Sequence, residues 1–542
     1  MEWAFVVIGT LLALVALLCL WAAFAVLRAA ANLFLRIEAC REQLEKLERR
    51  LSANGRGAAG ALALWVACAG SVQGQQTLAP ADALALALAD LRQQPAGTRA
   101  SLRYLTLYAV AEPQREALRK VLAYHVNALS REPDIVPPVV VPGSAGTLLR
   151  VHLADYDWSA AVWEKLEDPL FHVKVQAQAT KKLWSGGVWP GDGKHYPAGS
   201  FYVTEPAKQT ALAPWLPAAA AAELVNLSQS AAPIVRGDWF LWQTAIQQGR
   251  DPGYYQFLGI KNLADYEKLV GFDAKLMTAA KRKELLEAVA VSTITLQPRR
   301  LARFPVIEGW YWRSFDTALA RNGKNALRIL DGDTFDFDAS ETLGLLPNGL
   351  MVSGLFNKAG ATQDVAPPDV APVDFTAPQS SVHVNLSCIR CHFPNSGINP
   401  IDGWARNLFT GPLTLQGPDE KVIRDLRQKY LRPLESAIEG DRKRLATAVT
   451  QATGGMKPPE LAAAYGRAFA EYDAPVTLER AARDAGVTPE RLTGALKAHL
   501  RTTGSLDTVL ASFLTNRRGG VKPDQYHEAI PLIQTALRGL VP

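Results

Sequence analysis

The stretch Gly360-Ala-Thr-Gln-Asp-Val-Ala-Pro-Pro-Asp-Val-Ala-Pro-Val-Asp-Phe-Thr-Ala-Pro-Gln-Ser-Ser381 separates two differently patterned parts of the chain. Pro367, Pro368, Pro372 and Pro378 deny it both helix and sheet ladder, and few large apolar residues could anchor it. Residues 360–382 therefore read as a proline-rich linker or extended surface crossing. Upstream, helical spacing over Pro80–Gln94 and Gln114–Arg131 alternates with a strand pattern over Thr147–Leu153. A helix is expected over Asp157–Leu166, opened by an acidic cap, and another over Ala274–Val291. Residues 75–359 are accordingly expected to form an α+β domain, with no repeat and no glycine-rich phosphate loop. Downstream, residues 383–542 read as mostly α-helical, with helices at 421–451, 458–472, 476–485, 488–500 and 524–538. Thr488-Pro-Glu-Arg supplies a cap followed by proline at the first helical position.

Working outward to the N-terminus, Trp3–Leu27 is an uninterrupted apolar run, long enough to cross a bilayer at ~20 residues. Residues 1–27 are expected to form a transmembrane helix, giving membrane attachment through the N-terminus. Leu33, Ile37, Cys40, Leu44, Leu47 and Leu51 follow at alternating spacings of four and three, the seam of a short coiled coil. This seam could make a homo-oligomer through 33–51; a lone amphipathic helix is the alternative. Residues 28–56 carry seven Lys/Arg, and the stretch before the first span carries none, which puts 28–56 in the cytoplasm. Residues 57–74 form a second apolar segment, either signal-like or the second leg of a hairpin. If it crosses, the body faces the periplasm from the inner membrane; if it does not, the charge rule keeps the body cytoplasmic.

The chain has 542 residues, enough for two or three domains, and a net charge of +6 spread over 58 basic and 52 acidic residues. No basic run in the body resembles a nucleic-acid patch, so a nucleic-acid partner is not expected. Three of the five cysteines (Cys19, Cys40, Cys68) lie in the N-terminal region, leaving only Cys388 and Cys391 in the body. That is not a disulfide scaffold.

Those two cysteines stand in Ser387-Cys388-Ile389-Arg390-Cys391-His392, which contains C-x-x-C-H. On one helical turn two thiols reach the vinyl groups along one porphyrin edge, and the adjacent imidazole meets the iron. One covalent haem c is expected, with Cys388 and Cys391 as attachment points and His392 as proximal ligand. A structural zinc site would need two more ligands, and His383 is the only supplement nearby. A thioredoxin-like thiol pair would need a preceding strand in a βαβ setting. Met456, in Gly454-Gly-Met-Lys-Pro-Pro459, is one candidate distal ligand; His383 is an alternative and Met351 a further one. Asp331–Asp338 mimics a calcium loop, yet Phe335 takes a ligand position and no closing Glu follows.

Four segments occur in order: Pro233-Ile-Val-Arg-Gly-Asp-Trp-Phe240, Gly253-Tyr-Tyr-Gln-Phe-Leu-Gly259, Leu346-Pro-Asn-Gly-Leu350 and Val382-His-Val-Asn-Leu-Ser-Cys-Ile-Arg-Cys-His392. With Pro475-Val-Thr-Leu-Glu-Arg-Ala-Ala482, the chain from Arg99 onward resembles a family of large bacterial c-type-cytochrome-like proteins with a single late C-x-x-C-H. The N-terminal anchor lies outside that resemblance. The resemblance implies an exported monohaem protein that transfers electrons to or from a redox partner protein. Two other readings stay open, a haem peroxidase or oxidoreductase subunit and a haem-based sensor or assembly module. Enzymatic activity is not the leading expectation.

Overall fold

A proline whose missing N–H costs nothing in the first turn opens α1 (Pro80–Gln93), and Asp82 Oδ2 accepts the Ala79 N–H at 2.8 Å. β1 (Leu102–Thr106), α2 (Glu112–Ala128), β2 (Val139–Val140) and β3 (Leu148–His152) follow. The helix expected over Asp157–Leu166 contracts to α3 (Ala160–Trp163), because Asp157 turns left-handed (φ +53°) and Ser159 becomes the cap. Between His172 and Ala211, three antiparallel pairs nest inside one another: β4 (His172–Val173) with β9 (Thr210–Ala211), β5 (Lys181–Leu183) with β8 (Tyr202–Thr204), and β6 (Gly187–Val188) with β7 (His195–Tyr196). After α4 (Ala218–Ser228), β10 (Ile234–Arg236) lies parallel to β1, completing a sheet of order β10-β1-β3-β2, and leads into α5 (Gly237–Thr244).

The second sheet is an antiparallel meander in chain order: β11 (Leu286–Val291), β12 (Pro298–Phe304), β13 (Tyr311–Phe315), β14 (Ala339–Leu345) and β15 (Met351–Asn357). The helix expected over Ala274–Val291 is corrected here. Only a short 3-10 turn forms at Ala274–Leu276, and Leu286–Val291 pairs along its whole length with β12. Leu-Glu-Ala-Val-Ala-Val suits either state by itself, so the long-range ladder decides. β15 is an edge strand, and two short helices, α6 (Tyr254–Leu258) and α7 (Leu263–Leu269), close that edge. Tyr254 Oη accepts the Ser353 N–H at 3.0 Å and donates to the Ser353 carbonyl at 3.2 Å; Tyr255 Oη does the same for Leu355. Tyrosine hydroxyls thus take the place of a sixth strand and block edge-to-edge pairing.

α8 (Leu386–His392) carries the cysteine motif, and α9 (Pro418–Thr453), α10 (Pro458–Asp473), α11 (Leu478–Asp484), α12 (Pro489–Thr503), α13 (Thr508–Thr515) and α14 (Pro523–Arg538) follow. The expected Thr488 cap is present, accepting the Arg491 N–H at 3.2 Å. These observations come from a computed structural model that describes Ala79–Arg538 except 174–180, 184–185, 189–193, 198–201, 205–209, 212–214, 216, 277–284, 292–297, 307–308, 319–335, 372–373, 375–380, 395–417, 505–506 and 516–519. The transmembrane, coiled-coil and second apolar segments expected over 1–74 lie outside the described residues, as does most of the acidic turn at Asp331. Among the described residues no helix is long and apolar enough to cross a membrane.

Residues 77–542 form one compact α+β unit, and two apolar cores run across the expected boundaries at 360 and 383. One joins α2, α5, the meander, α8, α9 and α10 through residues such as Leu122, Phe240, Val352, Ile389, Val449 and Tyr465. The other joins α1 and the outer face of the first sheet to α11–α14. Part of the proline-rich stretch is itself packed: Val370 and Ala371 are buried, and Asp374 is 1 % exposed.

Candidate functional site

The motif helix begins at a strained residue. Asn385 has φ +66° and ψ −65°, and the Leu386 N–H reaches back to the Val384 carbonyl at 2.9 Å, which closes a γ-turn. A non-glycine residue pays for this conformation and holds it only where its surroundings dictate it. The Asn385 amide donates to the Ala245 carbonyl at 2.7 Å and to Tyr465 Oη at 3.3 Å. Tyr465 Oη lies 3.0 Å from His125 Nδ1, and His125 Nε2 lies 2.7 Å from Thr244 Oγ1, which donates to the Phe240 carbonyl. The chain has one consistent polarity. Because the Thr244 proton is committed, His125 Nε2 must donate, so Nδ1 accepts from Tyr465. Burial agrees with this neutral imidazole, lowering the pKa of His125 to about 3. A second anchor lies beside the turn: Ser387 Oγ accepts the His383 N–H at 3.0 Å and donates to buried Asp374 at 2.6 Å.

From that fixed start, Cys388, Cys391 and His392 fall at i, i+3 and i+4, on one face of α8. Neither cysteine is held in a disulfide. Cys388 is 2 % exposed within the core, and burial, reinforced by the Glu341 charge, pushes its thiol well up from the ordinary range. Cys391 is only partly buried.

His392 Nε2 lies 3.3 Å from Glu341 Oε1 on β14. The other Glu341 oxygen is 3.0 Å from Arg299 Nη2 on β12, and Arg299 Nε is 2.9 Å from Asp316 Oδ1. Burial would raise the Glu341 carboxyl, but the His392 hydrogen bond and charge, with Arg299, hold it down to about 2. An ionised carboxylate can only accept, so His392 Nε2 carries the proton. Such a carboxylate–imidazole pair is what ligating histidines commonly make through the nitrogen that does not bind the metal. Glu341 is absent from the expected site residues. Its signal was a lone carboxylate in the strand-like run Ala339-Ser-Glu-Thr-Leu-Gly-Leu345, but nothing local pairs it with His392, 51 positions away.

The donor set fits a covalent haem: two thiols and one imidazole on one helix face, with the imidazole already oriented by a carboxylate. Arg390, between the cysteines, has a buried Nη1 with no hydrogen-bond partner among the described residues. The buried Cys388 sulfur adds a constraint, since a bond to it must form before the core closes over it.

The three expected distal candidates fall on different parts of the fold. Met456 is half-buried against the first core, its N–H bonded to Thr453 Oγ1 at 2.9 Å. His383 is 5 % exposed and lines a cavity with α5, α10 and α14 that Cys388, Cys391 and His392 do not line. Met351 is buried in β15. Among the described residues no group of three or more His, Cys, Asp or Glu side chains is placed to hold a metal ion. Comparison with known proteins finds no matching family model, no similar curated protein and no similar solved structure.

Proposed function

We propose that Cys388, Cys391 and His392 hold one covalent haem c, and that the protein relays single electrons to a redox partner protein. The observation that carries this reading is the C-x-x-C-H donor set on one face of α8, with Glu341 on the imidazole. When bound, the group would supply a one-electron iron couple. The chain's own part is positional. Cys388 and Cys391 fix one edge, His392 presents a nitrogen whose orientation Glu341 and Arg299 set, and the Asn385 turn fixes where the helix starts. The C-x-x-C-H spacing itself supports the same reading. With residues 1–27 as anchor and 57–74 as a second crossing, the haem-bearing face belongs in the periplasm at the inner membrane.

The test is expression of the full chain with c-type maturation machinery, followed by haem staining on a denaturing gel and a reduced-minus-oxidised spectrum. Covalent haem in the wild type, lost in Cys388→Ala/Cys391→Ala, is the expected result. Folded, exported protein without covalent haem overturns it. A six-coordinate low-spin spectrum is expected of a carrier, whereas a five-coordinate high-spin one moves the reading to peroxide or gas-ligand chemistry.

A further inference from the structure

The cavity lined by His383 has a volume of about 580 Å³, within the range of small-molecule sites. One of its polar groups lacks the hydrogen-bond partner that burial demands, and another is a guanidinium without a bound carboxylate. His383 is 5 % exposed, and its Nδ1 has no hydrogen-bond partner among the described residues. Such a buried nitrogen is costly unless something fills its valence. Arg250 is half-buried. Its Cζ lies 3.5 Å from the centre of the Trp242 ring, and Nη1 donates to the Trp242 carbonyl. No carboxylate lies within ion-pair distance of its guanidinium among the described residues, and burial lowers its pKa to about 10. The turn presenting it is built for the purpose: Gln248 takes φ +40° and Gly249 φ +70°, closed by the Arg250 N–H on the Gln247 carbonyl at 2.9 Å. A non-glycine residue in that region is held there by its surroundings.

We propose that this cavity binds a small organic carboxylate with a flat apolar body. Arg250 offers the planar fork that matches a carboxylate, and the His383 nitrogen supplies a second hydrogen bond. Trp239 and Phe469 line the same space and give an aromatic body its walls. Phosphate has the same oxyanion chemistry, but Glu167, Asp473 and Asp524 also line the cavity. Against these carboxylates the lining supplies the Arg250 cation, so a dianion is repelled more strongly than a monoanion. Cys388, Cys391 and His392 do not line the site, and His383 serves it only where it is not the distal iron ligand.

Titration calorimetry on the full chain in detergent, with sodium benzoate and inorganic phosphate as probes at matched ionic strength, tests this. Saturable benzoate binding is expected with a Kd on the order of 1 mM, with phosphate much weaker. Arg250→Gln should weaken benzoate binding by about tenfold or more, the effect of one charge-assisted pair. His383→Ala, which removes no hydrogen bond made by the side chain, serves as the second variant and should weaken binding several-fold. Absence of saturable benzoate binding to the wild type overturns the proposal, as does phosphate binding as tightly. So does undiminished benzoate binding in either folded variant.

Discussion

Two of the molecule's arginine–carboxylate groups, one buried and one half-buried, are built to opposite ends. In the first, Arg236 on β10 meets Asp168 through Nη2 at 2.8 Å and Asp484 on α11 through Nη1 at 3.1 Å. Asp168 also accepts the Arg236 and Leu170 N–H groups, and Tyr526 Oη donates to Asp484 at 3.1 Å. The three charged side chains are 1 %, 0 % and 4 % exposed. In the second, Arg299 and Glu341 are 11 % and 24 % exposed, and the third member is His392, whose Nε2 faces Glu341 Oε1 at 3.3 Å. A closed set of permanent charges fastens the C-terminal helices to the first sheet. The part-open set ends in an imidazole on the C-x-x-C-H helix. The difference shows in what each leaves available, since both satisfy the geometry of a good ion pair.

The closed group should break hardest. Arg236→Met leaves two buried carboxylates unpaired and is expected to cost about 3–5 kcal/mol of unfolding free energy, read by urea denaturation. A loss below about 1 kcal/mol would show that water already reaches Asp168 and Asp484 and would remove the contrast drawn here.

Acid should act next, through histidines belonging to neither group. Burial lowers His125 and His527 to about 3 from an ordinary value of 6.5. Between those pH values the unfolded chain binds a proton at each position that the folded chain excludes. Stability therefore rises with pH across this window, by about 1.4 kcal/mol per unit for each histidine. Denaturation midpoints measured from pH 7 down to 4 should fall accordingly, and His125→Gln should flatten the slope by its own share.

The part-open group is expected to yield less. Glu341→Gln keeps the volume but removes the charge opposite His392 and Arg299, at a cost of about 1–3 kcal/mol near neutral pH. The folded pKa of Glu341 is depressed to about 2, so its contribution is complete above the unfolded value near 4.5 and lost as pH falls through 2. The gap between wild type and Glu341→Gln should therefore narrow below about pH 4.5. A gap that stays constant down to pH 2 would mean the carboxylate is not ionised on His392's account.

What could be read from the sequence, and what could not, follows the range of the interactions involved. Pro80, Thr488 and Pro458 announce their helices because caps and first-turn prolines act within four residues. The C-x-x-C-H spacing is equally local, and it places three donors on one helix face without any tertiary information. Leu286–Val291 fails the same test, since Leu-Glu-Ala-Val-Ala-Val becomes a strand only because β12 lies beside it. Tyr254 and Tyr255 look like ordinary aromatic core residues, and their role in closing the β15 edge depends on a partner about a hundred positions away. Glu341 and Arg250 were missed for the same reason.

Asn385 supplies the smallest effect and the sharpest one, because two local terms oppose each other there. Asn385→Ala loses the bonds to Ala245 and Tyr465, worth about 1–2 kcal/mol together, and keeps the positive-φ strain. Asn385→Gly loses the same bonds but relieves strain of about 1–2 kcal/mol, so it should fall near wild-type stability. If the turn exists to fix where α8 starts, the two variants should separate stability from attachment. The glycine variant would be nearly as stable as wild type yet show reduced covalent haem on a stained gel, because a start held by two hydrogen bonds has become one of many. Equal haem loading in Asn385→Gly and wild type would mean that core packing of Leu386, Cys388 and Ile389 alone positions the motif, and that the strained turn is incidental to it.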